Sequence, residues 1–322
     1  MSTSAQLDWS SEEYQTLGTV PMVCHHPYHR DPAFEQSSLV DLIDNYPAKW
    51  LQAFTMGEDP CRAHEWKSVD IPEGTSGADI WQAVATGRLW INLTHVEDVS
   101  ERCAALIDGL YTHLGSRSPQ LKNHRAGYST LLVSSPNAQV YFHVDSQPNM
   151  LWHLHGQKRV WTYPALDSRL TPQALLEDIY AGEIDEDLPY KPEFDELGQM
   201  HLLSPGDVIS WPHNAPHRVE NIDMNVSLTT SYYSPSIYRR EYVQLANRFL
   251  LRNLGIRNRS MAEDGAVPAI KRMSYRVINK LRPFPRRDRA ANYITDLEID
   301  PSQPLGYRKT GDVRPASFAR AA

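Results

Sequence analysis

Short alternating stretches of apolar and polar residues dominate the middle of the chain. Runs rich in β-forming residues occur at 130–133, 139–144, 150–155, 158–163, 208–211, 217–220 and 226–233, with turn residues between them. Short strands at such spacing are typical of a jelly roll, also called a double-stranded β-helix. Residues 121–235 are therefore predicted to form a β core of this kind.

Helical periodicity flanks the β core on both sides. Residues 1–120 combine an amphipathic helix predicted over 99–114 with strands predicted over 50–55 and 87–93, which indicates an α+β layer packed on the core. Beyond Pro235, apolar residues recur at helical spacing over 238–254 and 267–280. Residues 236–322 are thus predicted to hold C-terminal helices and, from 292 onward, a loose extension. The predicted class is mainly β with flanking helices.

An acidic insert at 164–200 interrupts the β pattern. It contains the run Glu183, Asp185, Glu186 and Asp187. Such a segment is either a solvated flap or a lid over the mouth of a barrel cavity, where lids commonly lie. The sequence leaves both interpretations open.

Composition narrows the class of protein. The 322 residues are 41% hydrophobic and 22% charged, which is typical of a globular protein that buries a full core. The net charge of −7 gives no indication of general nucleic-acid binding, so no nucleic-acid partner is expected.

Cysteine usage and the N-terminal residues bear on location. Three cysteines, at 24, 61 and 103, do not make a disulfide framework and suit a reducing compartment. The first ten residues lack a signal-peptide pattern, and no apolar run approaches the roughly 18 residues that cross a membrane. We expect a cytoplasmic protein without a membrane partner.

The stretch His143–Val144–Asp145 offers two metal-binding side chains on one predicted strand. Residues i and i+2 of a strand point to the same face, so the imidazole and the carboxylate can reach one ion. A third ligand, His213 or His217, follows a Pro-Gly-Asp turn and a short apolar strand. Two histidines and one carboxylate on one face of an ion form the triad of non-haem Fe(II) oxygenases. The ligand types alone do not exclude Mn, Co, Ni or Zn.

These motifs together resemble the Jumonji-C hydroxylases, which have a cupin-like barrel. The similarity lies in residues 143–149, 154–159, 205–208 and 216–219 and covers about a third of the chain well. Within that family, the likeness is strongest to the asparaginyl hydroxylases that act on hypoxia-inducible factor. The resemblance implies Fe(II), 2-oxoglutarate and O2 as cofactors. It also implies hydroxylation of a protein side chain or a small molecule, with release of succinate and CO2.

The resemblance places the third ligand just before Arg218 and Val219, so it favours His217 over His213. It also implies roles for individual residues around the triad. Lys158 occupies the position that binds the far carboxylate of 2-oxoglutarate, and Asn149 lies near its chelating end. Because an unpaired buried ammonium is costly, an inward lysine in such a cavity indicates an anionic partner. Tyr128 or Thr130 is expected to supply a hydroxyl to the same carboxylate, and Ser231 stands near the family's asparagine on the last strand.

Other positions depart from the family pattern or concern the substrate. Val140 replaces the family's threonine three residues before the first ligand, so one hydrogen bond to the cosubstrate must come from elsewhere. Gln147 and Trp152 are predicted to contact the substrate. The presence of Asp145 favours oxygen insertion over halogenation, because a halide would need the position that this carboxylate fills.

Two alternative functions remain open from the sequence. One is a non-catalytic metal-binding protein of the cupin type, and the other, ranked last, is a metal-dependent isomerase or lyase on a related barrel. The resemblance further predicts a homodimer through the C-terminal helices, with Leu245, Phe249, Val277 and Leu281 on their apolar stripes.

Overall fold

The structure is a computed structural model that describes residues 7–284 and 293–321. Fourteen strands are present in these residues, and most of them lie between Leu51 and Tyr233. The strands are β1 (Met22–His25), β2 (Leu51–Thr55), β3 (Lys67–Val69), β4 (Leu89–Thr94), β5 (Arg125–Ser134), β6 (Gln139–His143), β7 (Asn149–His155), β8 (Lys158–Thr162), β9 (Gln199–Leu203), β10 (Asp207–Ser210), β11 (His217–Asn221), β12 (Asn225–Tyr233), β13 (Ile294–Ile299) and β14 (Tyr307–Pro315).

Helices precede, interrupt and follow the strands of the barrel. They are α1 (Ser11–Thr16), α2 (Gln36–Asp44), α3 (Gly77–Thr86), α4 (Val96–Val99), α5 (Glu101–Arg117), α6 (Gln173–Ala181), α7 (Pro235–Ala246), α8 (Ala266–Leu281) and α9 (Ser317–Arg320). The side chain of Ser100 caps α5 by accepting a hydrogen bond from the backbone of Cys103. The predicted helix over 238–254 begins as α7 and continues as a π-helix over Asn247–Arg252.

Two antiparallel sheets form the β core. The larger has the strand order β1-β10-β7-β12-β5-β4-β2-β3, and the smaller has the order β6-β11-β8-β9. Leu151 of the larger sheet packs against Val160 and Val219 of the smaller one, so the two sheets face each other. This arrangement confirms the predicted mainly β double-stranded β-helix with flanking helices.

Alternate side chains of β7 point into two different apolar layers. Met150, Trp152 and Leu154 join the large core between the eight-stranded sheet and the helices, whereas Leu151 faces the space between the sheets. Successive side chains of a strand point to opposite faces, so odd-numbered residues of β7 line the barrel interior. Asn149, the first residue of β7, therefore points to the barrel interior.

The insert at 164–200 is folded, which does not fit a solvated flap, one of the two interpretations that the sequence left open. It contributes α6 and β9, and its apolar residues form a core cluster with Phe142 of β6 and Val144, which directly follows that strand. The contributing residues include Leu170, Leu176, Ile179 and Leu188.

The end of the chain also differs from the prediction. The expected loose extension contains an antiparallel pair, β13 and β14, followed by α9. The pair is anchored because Asp70, 1% exposed, bonds Leu297 through its backbone at 2.8 Å and pairs with Arg314 at 2.8 Å. In residues 7–284 and 293–321, no helix combines the length and the apolar character needed to cross a membrane.

Candidate metal and cosubstrate site

His143, Asp145 and His217 converge at one end of the barrel. His143 ends β6 and His217 begins β11, and the antiparallel register places them directly opposite each other. The Asp145 carboxylate lies 3.7 Å from Nε2 of His143 and 3.5 Å from Nε2 of His217. One ligand atom from each residue lies within 4.8 Å of the others, which is the compact grouping that a single ion requires.

Backbone carbonyls orient both imidazoles. Nδ1 of His143 lies 2.7 Å from the carbonyl of Tyr141, and Nδ1 of His217 lies 3.3 Å from that of Ala215. A ring that donates its Nδ1 proton to a carbonyl keeps the lone pair on Nε2, which is the usual way that a histidine ligand is fixed. Both Nε2 atoms point toward Asp145.

The electrostatics of the triad fit a divalent cation. Oδ2 of Asp145 is buried and has no hydrogen-bond donor among the described residues, and burial raises the pKa of this carboxyl. Burial holds the pKa of His217 well below its usual range, so its imidazole is neutral. A neutral imidazole and a carboxylate with one oxygen free of donors suit metal binding, and an ion would supply the missing positive charge at Oδ2.

Asn149 and Trp211 surround the carboxylate. Hydrogen bonds from both side chains lower the pKa of Asp145 and so offset part of the effect of burial. The ring of Trp211 also packs on His217, with centroids 4.2 Å apart. Asn149 therefore lies beside the triad, near the chelating end that was predicted for it.

Lys158 lies at the opposite end of the barrel interior. It begins β8 and pairs with Asn221 at the end of β11, whereas His217 pairs with Thr162. Its side chain is 3% exposed and borders a small cavity that is also lined by Val140 and Leu151. Within residues 7–284 and 293–321 its ammonium has no hydrogen-bond or ion-pair partner, and burial lowers its pKa to about 7.

The predicted hydroxyl donors differ in their surroundings. Thr130 is buried and shares strand parity with Leu132, which lines the Lys158 cavity. Tyr128 is 47% exposed and its ring stacks on His95 at 5.1 Å. Ser231 lies beside Asn149 in the register of β12 and β7, but its hydroxyl donates to the carbonyl of Tyr128 at 2.9 Å. Of these residues, Thr130 remains the best placed for the cosubstrate, and its role stays a prediction.

The two residues predicted to contact the substrate, Gln147 and Trp152, lie in different parts of the structure. Trp152 is fully buried on the helical side of β7, where it stacks on Trp9 at 6.1 Å and donates to Thr230 at 3.0 Å. The assignment of Trp152 to the substrate pocket is corrected, because this face of the strand points away from the barrel interior. Gln147 follows the triad, and its buried Oε1 has no donor among the described residues, so its role in the site remains a prediction.

His213, the alternative third ligand, lies outside the triad. Its Nε2 is 3.0 Å from the carbonyl of Ser146 and 2.9 Å from the hydroxyl of Tyr180. Burial lowers its pKa to about 3, so the ring is neutral and is held by these two oxygens. The structure thus brings His217, and not His213, to His143 and Asp145.

Sequence reasoning missed the contact between the acidic insert and the triad. Residues 186–188 run along β6: the backbone of Val144 donates to the carbonyl of Glu186 at 3.1 Å, and Asp187 lies opposite His143. The Glu186 carboxylate accepts a hydrogen bond from the backbone of Ser146 at 3.0 Å. The apolar residues Ile184 and Leu188 within an otherwise acidic run were the one signal that this segment packs.

Comparisons with known proteins support the fold. Neither a scan against protein-family models nor a search of curated proteins gives a match. Among solved structures, an X-ray structure of E. coli ycfD is similar, with a TM-score of 0.51, 16% identity, and coverage of 87% of this chain and 71% of that one. Two structures described as the Escherichia coli ribosomal oxygenase YcfD, with cobalt and 2-oxoglutarate or with cobalt and succinic acid, both have TM-scores of 0.47 and 14% identity. These two alignments cover 86% and 87% of this chain and 68% and 69% of theirs.

At such identity, the similarity to the ycfD structure shows the fold alone. The resemblance to the Jumonji-C hydroxylases is therefore confirmed at the level of the fold. The narrower likeness to the asparaginyl hydroxylases stays a prediction.

Proposed function

We propose that this protein is an Fe(II)- and 2-oxoglutarate-dependent oxygenase. It hydroxylates a C–H bond of a protein side chain or a small molecule and releases succinate and CO2. The observation that carries the proposal is Lys158, a buried cation without a partner among the described residues, which shares the barrel interior with a His-Asp-His triad. A metal site alone does not require such a lysine, whereas a dianionic cosubstrate that binds the metal at one end does.

The triad would hold the metal on one face. His143, Asp145 and His217 contribute two neutral nitrogens and one carboxylate oxygen, so positions on the opposite face stay available. When bound, Fe(II) with 2-oxoglutarate and O2 supplies the oxidising chemistry, while the protein supplies binding and orientation. Burial raises the pKa of Asp145, and a hydrogen bond from Asn149 offsets part of this effect.

Lys158 would hold the cosubstrate at its far end. Asn221, the residue that pairs with Lys158, lies four positions after His217 on β11. At about 3.3 Å per residue this separation is ~13 Å, which the lysine side chain and a five-carbon diacid together can span. Val140 and Leu151 line the intervening wall, so the charge pair would form in a dry environment where it is strong.

The first experiment measures turnover without an added substrate. Purified protein with Fe(II), 2-oxoglutarate and O2 is expected to form succinate slowly, and this activity is expected to disappear in His217→Ala. The matched comparison is His213→Ala, which removes a buried histidine that is not a ligand but contacts the carbonyl of Ser146, so metal binding should weaken but not disappear. Loss of metal binding in His213→Ala with retention in His217→Ala would contradict the assignment of the third ligand.

A second measurement separates this function from its main alternative. A non-catalytic metal-binding protein of the cupin type would bind Fe(II) or Co(II) through the same triad but would neither bind nor consume 2-oxoglutarate. Calorimetric titration of the Co(II)-loaded protein with 2-oxoglutarate distinguishes the two functions. Absence of binding, together with absence of succinate, would favour the alternative.

A further inference from the structure

The two segments that carry the triad also contact each other through side chains that are not ligands. Nδ2 of Asn214 donates to the backbone carbonyl of Asp145 at 3.0 Å, and Nε2 of His213 lies 3.0 Å from the carbonyl of Ser146. Asn214 is 2% exposed and adopts a left-handed backbone conformation with φ of 63°. Asparagine tolerates this conformation better than most residues, so the loop presents its amide to Asp145 without a large strain.

A residue of the acidic insert completes this contact. The hydroxyl of Tyr180, on α6, donates to Oδ1 of Asn214 at 3.0 Å and lies 2.9 Å from Nε2 of His213. The hydroxyl therefore orients the amide of Asn214, since an amide whose oxygen accepts from Tyr180 must turn its nitrogen toward Asp145. An unbroken series of hydrogen bonds thus joins the insert to the backbone of a predicted metal ligand.

The C-terminal helices hold α6 and the loop in place. Glu177 of α6 is fully buried and receives two hydrogen bonds of 2.9 Å from Arg259, and Asp178 accepts from Arg248 at 2.6 Å. Arg240 of α7 donates to the carbonyl of His213 at 2.8 Å. Buried charge pairs are costly to separate, so they hold α6, the helix that carries Tyr180, in a fixed position.

We infer that Tyr180 and Asn214 are positioning residues of the metal site. They fix the backbone of Asp145 so that its carboxylate meets the ion together with the two imidazoles, a role that rests on the proposed metal binding. A metal site requires each ligand atom to lie within roughly 0.5 Å of its position in the functional site. Hydrogen-bonding groups that orient the ligands hold the atoms at these positions. The insert is accordingly a structural part of the metal centre, which explains why it is folded and charge-paired to the C-terminal helices.

The test uses the full chain and two substitutions that preserve the backbone. Tyr180→Phe removes the hydroxyl alone, and Asn214→Gly removes the amide at a φ that glycine adopts readily. The matched control is Tyr14→Phe, which removes a buried hydroxyl that donates to the carbonyl of Leu7, on the helical side of the molecule. Affinity for Co(II) is measured by calorimetry without cosubstrate, the visible absorption spectrum of bound Co(II) is recorded, and thermal unfolding is followed without metal.

Asn214→Gly is expected to weaken Co(II) binding at least about tenfold, in the range known for groups that orient ligands. Tyr180→Phe should weaken it less and shift the Co(II) spectrum in the same direction, and the double variant should be no weaker than Asn214→Gly alone. Wild-type affinity and spectrum in both variants would overturn the inference and leave the proposed function intact. An equal loss in Tyr14→Phe, or additive losses in the double variant, would also overturn it. Absence of Co(II) binding by the wild-type protein would overturn the inference and the proposed function together.

Discussion

Lys158 in the barrel and Lys271 on α8 are both buried, with 3% and 8% of their surface exposed. The ammonium of Lys271 donates to Oδ1 of Asn247 at 2.8 Å and to the carbonyl of Ser260 at 2.7 Å. Lys158 has no comparable partner in the part of the chain that the structure describes. Burial lowers the pKa of both residues, and for Lys158 it does so to about 7.

The comparison suggests two roles for a buried lysine. One with hydrogen-bond partners stabilises the fold, whereas one without partners indicates a binding site for an anion. The hydrogen bonds of Lys271 to Asn247 and Ser260 offset the cost of removing its charge from water. The barrel interior instead keeps groups that lack a partner among the described residues, namely the Lys158 ammonium and, at the triad, Asp145 Oδ2. Such local violations of the rule that buried polar groups are paired are expected at functional sites, where a ligand completes the set.

The largest expected effect follows from Lys158→Met. A desolvated charge pair that loses one partner costs about 3–5 kcal/mol, or roughly two to four decades of affinity. We expect this loss in the affinity of the Co(II)-loaded protein for 2-oxoglutarate, with Co(II) affinity unchanged, as measured by calorimetry. Arg159→Met is the matched control, because that side chain is 41% exposed on the same strand. Unchanged 2-oxoglutarate affinity in Lys158→Met would show that Lys158 does not bind the cosubstrate.

Lys271→Met should give the opposite result. The substitution leaves Asn247 Oδ1 and the Ser260 carbonyl without their donor, which costs about 1–3 kcal/mol of the free energy of unfolding. The affinity for 2-oxoglutarate should stay at the wild-type value. Chemical denaturation at pH 7 without ligands measures the effect, and Lys158→Met in the same experiment should be more stable than wild type, since it removes a charge without a partner. Equal destabilisation by both substitutions would show that the two lysines do not differ in role.

The pH dependence of cosubstrate binding tests the charge state of Lys158. Its folded-state pKa of about 7 lies below the ordinary lysine value, so the cost of burial is full below pH 7 and is relieved as the pH rises. Because 2-oxoglutarate binds the protonated form, its affinity should fall roughly tenfold between pH 7 and pH 8.5, with proton uptake at the higher pH. Calorimetry in buffers of different ionisation enthalpy detects this proton. A pH-independent affinity without proton uptake would mean that Lys158 does not pair with the ligand.

The parts of the site that were predictable depend on local patterns. His143 and Asp145 share a strand face through the period of two, and the short turn before β11 delivers His217 to the same end of the barrel. The same period argues against Trp152 as a substrate residue, because it shares parity with Met150 and Leu154, both apolar and both buried in the helical layer.

The rest could not be read from the sequence because its contacts are distant along the chain. Tyr180 meets Asn214 across 34 residues, and Arg314 meets Asp70 across 244 residues. An acidic run and a polar C-terminal segment lack the periodicity that predicts burial, so the insert was open to interpretation as a flap and residues 292–322 as a loose extension. Both segments are ordered by ion pairs and backbone pairing with elements that no local pattern identifies.

The dimer expected through the C-terminal helices stays a prediction, and the four residues named for it differ in their exposure. Leu245 is 3% exposed and packs within the protomer, whereas Phe249 is half-buried and stacks on Phe284 with centroids 4.5 Å apart. Val277 and Leu281 remain available, with 51% and 80% exposed. They belong to an apolar face of α8 that points away from its buried side and also includes Val267, Ile270 and Met273.

We propose that this face of α8 packs against its copy across a two-fold axis. Such an interface is self-complementary, and antiparallel packing would bring the basic end near Lys280 to the acidic residues Glu263 and Asp264 that precede the other copy. Val277→Glu combined with Leu281→Glu should convert the dimer to a monomer of 36.7 kDa by light scattering. The matched control, Val313→Glu, places a charge at a side chain that is 68% exposed on β14 and should leave the dimer intact.

This change is expected to have the smallest effect on the protomer itself. Because the substituted side chains are already exposed, the free energy of unfolding of the monomer should change by no more than about 0.5 kcal/mol. Co(II) and 2-oxoglutarate affinities should also stay at their wild-type values, since no residue of the barrel interior is altered. A wild-type mass near that of one chain at micromolar concentration would contradict the dimer. A dimer that survives both glutamates would place the interface on another surface.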